Sequence, residues 1–343
     1  MNAMPLSIHK TGLVTSVGLS APASCAAFRA KISNPSQTHF IDSRGEWIMA
    51  HAVPLEQPWR GLTKLSRMAA MAIGEVLEDV PTEQWRHIPL LLCVAEPQRP
   101  GRLRGVDDEL FERVEKELDA HFSPLSAIVP HGRVSVAVAL EQARRLMQAQ
   151  GVPQVVVAAA DSLLHGATLS HYERADRLLT PVNSNGFMPG EGAGALLLGA
   201  PVGQAGEMLC TGIGFGVERA HIDSEEPLRA EGLVQAVRQA LADAGCQMQH
   251  IDYRITDVSG EQYYFKEAAL ALSRILRVRK EEFDIWHPAE SMGESGAAVG
   301  CAIVAEACAA ARKRYARGPN VLLHMANDAG QRAALCVQQS VAT

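Results

Sequence analysis

The chain has 343 residues, 32 Lys and Arg against 38 Asp and Glu, 47% hydrophobic residues and a formal charge of −6. This is the composition of an ordinary globular protein, and its acidic balance argues against a surface built to neutralise nucleic-acid phosphates or anionic lipid. No apolar run reaches the roughly 18 residues of a membrane span. The stretch Met1–Lys10 has no apolar segment of signal type, and Met4 offers a second start. Seven cysteines, at positions 25, 93, 210, 246, 301, 308 and 336, form no C-x-x-C pair and no zinc-ligand spacing with histidine. They read as reduced thiols in a cytoplasm, with neither metal nor cofactor expected.

Short apolar strands alternate with longer amphipathic helices throughout, the pattern of an α/β protein. Leu6–Val17 predicts a first strand and turn, Pro22–Lys31 a helix, and Leu62–Asp79 a longer helix whose small residues Ala69, Ala70, Ala72 and Gly74 share a buried face. Pro89–Val94 reads as a buried strand. The charged stretch 106–122 predicts an exposed helix with a narrow apolar stripe at Leu110, Val114 and Leu118. Arg133–Ala149 is apolar on nearly all sides of its first turns, so it predicts a helix in the middle of the fold, followed by a buried strand at Gln154–Ala160.

The second half repeats the theme. Strands are expected at Met208–Val217, Tyr253–Val258, Asn320–Met325 and Ala333–Gln338, and helices at Leu228–Gly245, Gln262–Leu276 and Gly293–Arg312. Gly and Pro cluster near 201–206, so the chain divides into residues 1–203 and 204–343, two related halves around a shared helical centre.

The most specific string is Asn185–Leu198 (NGFMPGEGAGALLL), in which Gly186, Gly190, Gly192, Gly194 and Glu191 stand at fixed offsets before a buried strand. Such glycines supply positive φ and let backbone approach backbone. The run, with Phe187, resembles the G-F-x-x-G-E-G-A-G segment of the β-ketoacyl synthases of the thiolase superfamily. Thr11–Gly18, Ala158–Ser162 and Gly296–Ala298 are similar to further parts of that family in the same order. The resemblance implies a thiolase-like, five-layered α/β/α/β/α fold, normally dimeric, with a structural role for Glu191.

Ketosynthase chemistry needs a Cys thiolate at a helix N-terminus and two assisting histidines. The nucleophile's place is held here by Pro130-His131-Gly132-Arg133, and no Cys lies between Cys93 and Cys210. Ser259 stands for the first histidine and Glu294 for the second, and the family's terminal Gly-Phe loop reads Asn327-Asp328-Ala329-Gly330-Gln331-Arg332. Structural glycines are kept while the chemical positions depart. His131, Gly132, Ser259 and Glu294 are therefore vestigial site positions, and no catalytic residue is expected.

Ser135 reads as a buried serine bonding a carbonyl, and Glu294 as a carboxylate in the first turn of its helix, or, with Ser259, as part of a small polar site. Cys301 and Cys308 lie seven apart on one helix face, as core residues do. The loop Pro54–Gly61, with Trp59 outside any periodic pattern, is either packed at an interface or exposed for a partner.

The expectation is thus a degenerate ketosynthase-like protein serving as a binding, assembly or partner subunit, as chain-length factors do. It would form a homodimer, or a heterodimer with a ketosynthase-like or effector protein, and an acyl carrier protein is a further candidate partner. Short chains of this look also resemble accessories of type VI secretion effectors. The alternative is an acyl-thioester-processing enzyme (acyltransferase, thioesterase or decarboxylase) acting on acyl-CoA or acyl carrier protein through His131, Ser259 or Glu294.

Overall fold

The computed structural model describes residues 4–340, so the residues before Met4 lie outside the description. In chain order the elements are β1 (Leu6–Val14), α1 (Ala21–Ala30), β2 (Ser36–Ile41), β3 (Trp47–Ala50), α2 (Gly61–Leu77), α3 (Thr82–Trp85), β4 (Leu90–Cys93), α4 (Glu109–Leu118), β5 (Ala127–Val129), α5 (Ser135–Gln150), β6 (Gln154–Ser162), α6 (Gly166–Arg174) and β7 (Glu191–Gly199). There follow β8 (Met208–Val217), α7 (Glu231–Asp243), β9 (Tyr253–Thr256), α8 (Gln262–Ile275), β10 (Ile285–Trp286), α9 (Ala289–Met292), α10 (Ala298–Arg312), β11 (Asn320–Ala326) and β12 (Gln331–Gln339).

The main sheet runs β10-β9-β11-β12-β8-β1-β7-β6-β4-β5, and β2 and β3 form a separate hairpin. Numbered within its own half, each group of five strands has the order 3-2-4-5-1. In each half the second, third and fourth strands run parallel, and the fifth is antiparallel to both neighbours. The same unusual order twice marks a duplicated motif. One motif ends with β7 at Gly199 and the other begins with β8 at Met208, and a short β1–β8 pairing joins them.

Period-2 alternation assigns the layers. Leu91, Cys93, Val155, Val157 and Ala159 face a central core shared with α5, α10 and the inner face of β9, β11 and β12. Their neighbours Leu90, Leu92, Val156, Ala158 and Ala160 face an outer core under α2 and α4. On the far side α7 and α8 cover Leu322, Ala334 and Cys336. The result is the five-layered α/β/α/β/α arrangement. It explains why β4, β6 and β7 read as continuous apolar runs, since both faces are covered.

Helix α10 is buried almost all round, including Cys301 and Cys308, and serves as the central layer with α5. It starts at Ala298, five residues after the expected Gly293, because Gly293 and Gly296 adopt left-handed φ values of 67° and 58° and break the chain before it. A second correction concerns the glycine motif. None of Gly186, Gly190, Gly192 and Gly194 is among the positive-φ glycines; they serve close approach alone. A Cβ on Gly190 would lie 2.2 Å from the Met292 carbonyl oxygen, and one on Gly194 2.4 Å from the Cys301 Cβ. The motif lets β7 lie directly against α10 and the turn before it.

Candidate functional site

Parallel strands deliver their carboxyl ends to one rim, the usual place for a ligand in α/β folds. Here four of the six such ends carry an acid. Glu96 follows β4, Asp161 lies at the end of β6, Asp257 follows β9 and Asp328 follows β11. Glu96 and Asp257 thus follow the second strand of their motifs, and Asp161 and Asp328 belong to the fourth.

Three arginines fill the space between these acids. Arg99 donates two hydrogen bonds to Glu96, at 3.0 and 2.7 Å, and its other terminal nitrogen lies 3.0 Å from Asp161. Arg133, in the 3-10 turn Gly132–Val134 that leads into α5, donates to Glu294 at 3.1 Å, to Tyr264 at 2.7 Å and to Asp328 at 2.7 Å. Arg177 forms a two-pronged pair with Glu261 at 2.7 and 2.8 Å and a second with Asp328 at 2.8 and 3.1 Å. The hydroxyls of Tyr172 and Tyr264 also donate to Asp328, at 3.2 and 2.5 Å, so that one carboxylate accepts from four side chains.

Charge and burial set the ionisation of the cluster. Burial opposes the Asp328 charge, but Arg133 and Arg177 outweigh it and hold the carboxyl well below the usual carboxylate range. Glu96 is likewise held low by Arg99 against the penalty of burial. Asp257 lies 3.9 Å from Arg133 and gains less, so burial pushes it up to about 6. Burial also raises Glu261 despite its pair with Arg177. The free space left among Glu96, Arg99, Arg133, Tyr172, Arg177 and Asp328 is about 10 Å³, room for about one water.

Ser259 and Glu294 are brought together. The Ser259 hydroxyl donates to Glu294 Oε2 at 2.9 Å, on the oxygen that Arg133 also contacts, and Glu294 Oε1 accepts the Gly296 N–H at 3.1 Å. Glu294 therefore precedes the helix instead of sitting in its first turn, and ties the α10 approach to the charge cluster. His131 is left outside: its backbone N–H donates to Ser135 Oγ at 2.9 Å, and no side-chain hydrogen bond joins it to the cluster among the described residues. Ser135 in turn donates to the Val94 carbonyl at 3.3 Å. Gly132 has a φ of 56°, and a Cβ there would lie 2.0 Å from Glu96 Oε2, so the turn admits no side chain while Glu96 is in place.

Glu191 accepts hydrogen bonds from the Val53 N–H and the Ser162 hydroxyl, both at 2.9 Å, and pairs with Lys64. This ties β7 to β6, to the segment before α2 and to α2 itself. Trp59, in the proline-bearing loop, is half-buried with the Arg67 guanidinium 4.0 Å from its ring centre.

Neither a scan of protein-family models nor a search of curated proteins gives a match. Solved structures do match in shape. The ishigamide ketosynthase/chain length factor superposes with a TM-score of 0.79 at 16% identity, covering 98% of this chain and 100% of that one. A type II polyketide-synthase acyl-carrier protein in complex with its ketosynthase bound to the hexaketide gives 0.81 at 14% identity, with coverage of 98% and 100%. A β-ketoacyl synthase from Burkholderia phymatum gives 0.74 at 15% identity, with coverage of 99% and 100%. The chain has the thiolase-like fold of the ketosynthases along its whole described length.

Proposed function

We propose that this chain is a catalytically degenerate ketosynthase-fold protein that works as a binding or partner subunit. One observation carries the reading. Where four parallel-strand ends and the entry to α5 converge, the space is filled by Arg99, Arg133 and Arg177 with their carboxylates and holds no thiol. A buried, mutually satisfied ion cluster is costly to open, because each partner exposed alone carries its full desolvation penalty. Six of the seven cysteines are buried, Cys93 at the end of β4 among them with its side chain in the central core, and the seventh, Cys246, is half-buried beyond α7, so none is offered to an acyl chain at that rim.

The alternative, an acyl-thioester-processing enzyme using His131, Ser259 or Glu294, finds little support. Among the described residues the His131 side chain has no base or acid partner, and both oxygens of Glu294 are occupied. The partner side of the reading rests on likeness and on an open edge. The sheet ends at β5, two residues from His131, with no strand on its outer side among the described residues. Such an edge suits pairing with a second copy or with a ketosynthase-like or effector protein. Two similar structures are complexes, a ketosynthase with its chain length factor and a ketosynthase with an acyl-carrier protein. An accessory role in type VI effector loading is the narrower form of the same proposal. The free thiols and the absence of any helix able to cross a membrane, among the described residues, support a cytoplasmic site of action.

The test is turnover. Malonyl- and acetyl-thioesters on coenzyme A and on acyl carrier protein should release no thiol above the blank when incubated with the full chain. Release that disappears in Ser259→Ala or Glu294→Gln would overturn the proposal in favour of an enzyme. Native mass spectrometry of the same samples should show a dimer or a complex with an added subunit; a monomer throughout would contradict the partner role.

A further inference from the structure

Away from the charge cluster, one buried carboxyl has no partner. Glu306 projects from α10, a helix otherwise made of Ala, Val, Ile, Gly and Cys up to Arg312, and is only 5% exposed. Its Oε2 is enclosed without a hydrogen-bond partner, and no ion pair or hydrogen bond reaches either oxygen among the described residues. An unpaired buried carboxyl is expensive, so its presence asks for a ligand.

Glu306 lies in the wall of a cavity of about 260 Å³ with Phe28, Trp286, His287, Glu290 and Tyr315. Trp286 and Tyr315 are stacked with centroids 6.1 Å apart, and Tyr253 backs Trp286 at 4.6 Å. The nearby basic side chains are already engaged. Lys31 lies 3.7 Å and His287 3.3 Å from Glu290, and the Arg29 guanidinium sits 4.4 Å over the Tyr315 ring. None of them neutralises Glu306.

We propose that this cavity, between α1, the β10–α9 segment and the end of α10, binds a small organic cation, a primary amine or guanidine. Its charged head pairs with Glu306 and its carbon chain lies on Trp286, Tyr315 and Phe28. The stacked rings give a carbon chain an apolar wall, and a volume just below the usual range for drug-sized ligands suits a compact one. Arg29 and Lys31 also line the cavity, held by the Tyr315 ring and by Glu290, and an anion of the same size would meet the carboxyls of Glu306 and Glu290 beside them.

Burial, and after it the nearby Glu290, pushes the Glu306 carboxyl up to about 8. The other titratable groups around it are Cys25 and Arg29 on α1, Lys31 just after α1, Tyr253 on β9, His287 beside Glu290 and Tyr315 just after α10. At neutral pH the empty site is mostly protonated, and a cation must displace that proton. Affinity therefore rises as pH rises and levels off above about 8. Between pH 6.5 and 9 the ionised fraction, and with it the affinity for a permanently charged guanidine, grows about 30-fold.

The experiment is calorimetry on the full chain with agmatine and cadaverine, against 1-pentanol and pentanoate as neutral and anionic controls, with tryptophan fluorescence in parallel. Saturable binding of the cations is expected, tightening with pH, weakened at least about tenfold and made pH-independent by Glu306→Gln. The rim variant Glu290→Gln should change affinity less than about threefold. No binding of either cation at about 10 mM, affinity unchanged in Glu306→Gln, or pentanoate binding more tightly than agmatine would each overturn the proposal. A pH-independent agmatine affinity in the unmodified chain would do so as well, whether or not the variant folds.

Discussion

Removing the Asp328 carboxylate tests the account of the charge cluster. It accepts from Arg133, from both terminal nitrogens of Arg177, and from Tyr172 and Tyr264, and its side chain is 23% exposed. Asp328→Ala leaves two guanidinium groups and two hydroxyls with an acceptor missing. Each charge-assisted bond is worth about 1.5–3 kcal/mol alone, but bonds sharing one acceptor are not additive. The cost expected for breaking a buried pair, about 3–5 kcal/mol, therefore sets the scale. Asp328→Asn keeps the shape and one acceptor oxygen and should cost about half as much. Urea unfolding at pH 7 followed by circular dichroism reads both, with Asp108→Ala, an exposed helix cap, as a control near 1 kcal/mol. The acid limb gives an independent reading. Asp328 is held below its unfolded value, so its stabilisation is present above about pH 4 and is lost as pH falls further. Asp328→Asn should flatten that part of the profile. A loss below about 1 kcal/mol for Asp328→Ala would refute the idea that the cluster holds the site closed.

Three other outcomes are expected. Glu306, raised to about 8, stabilises the folded state most below its unfolded value near 4.3, and this contribution is lost as pH rises towards 8 at about 1.4 kcal/mol per unit. Glu306→Gln should gain on the unmodified chain by about 2–3 kcal/mol between pH 6 and 8 in paired urea titrations, and parallel profiles would count against it. Gly132→Ala should cost at least about 2 kcal/mol, since φ is 56° and the new Cβ meets Glu96 at 2.0 Å; Glu96→Ala in the same chain should recover part of that loss, and no recovery would show the contact to be irrelevant. Among the seven cysteines only Cys246 is half-buried, and its neighbour Cys336 pulls its thiol below the ordinary value, whereas burial raises most of the others. A thiol reagent at pH 7.5 should modify one site quickly, and Cys246→Ser should remove it; two or more fast sites would be inconsistent with this packing.

Much of the scaffold was legible because its signals are local. Met208–Val217 matches β8 residue for residue, and most helices fall within a few residues of their apolar periodicity. The hairpin β2–β3 was missed: its strands are short and leave Ile41, Trp47 and Met49 exposed, so no clear inward face marks them. The start of α10 was placed too early because the left-handed turns at Gly293 and Gly296 look, in sequence, like a small-residue helix. At the site, Ser259 and Glu294 read as one small polar site and meet at 2.9 Å within the second motif, but nothing in the sequence marked Arg133, from the first motif, as the donor to the same Glu294 oxygen. Glu96, Asp161, Asp257 and Asp328 did carry a signal, an acid at the end of each buried parallel strand. Arg177 and Glu261 carried none. They lie in irregular segments 84 residues apart and find each other only in the folded chain.

The central claim is that no residue at the entrance to α5 accepts an acyl group. Intact-protein mass after incubation with malonyl-, acetyl- and longer acyl-thioesters of coenzyme A and acyl carrier protein tests it most directly. The account predicts an unmodified mass with every donor. A stoichiometric acyl increment that vanishes in His131→Ala or Ser135→Ala would contradict it.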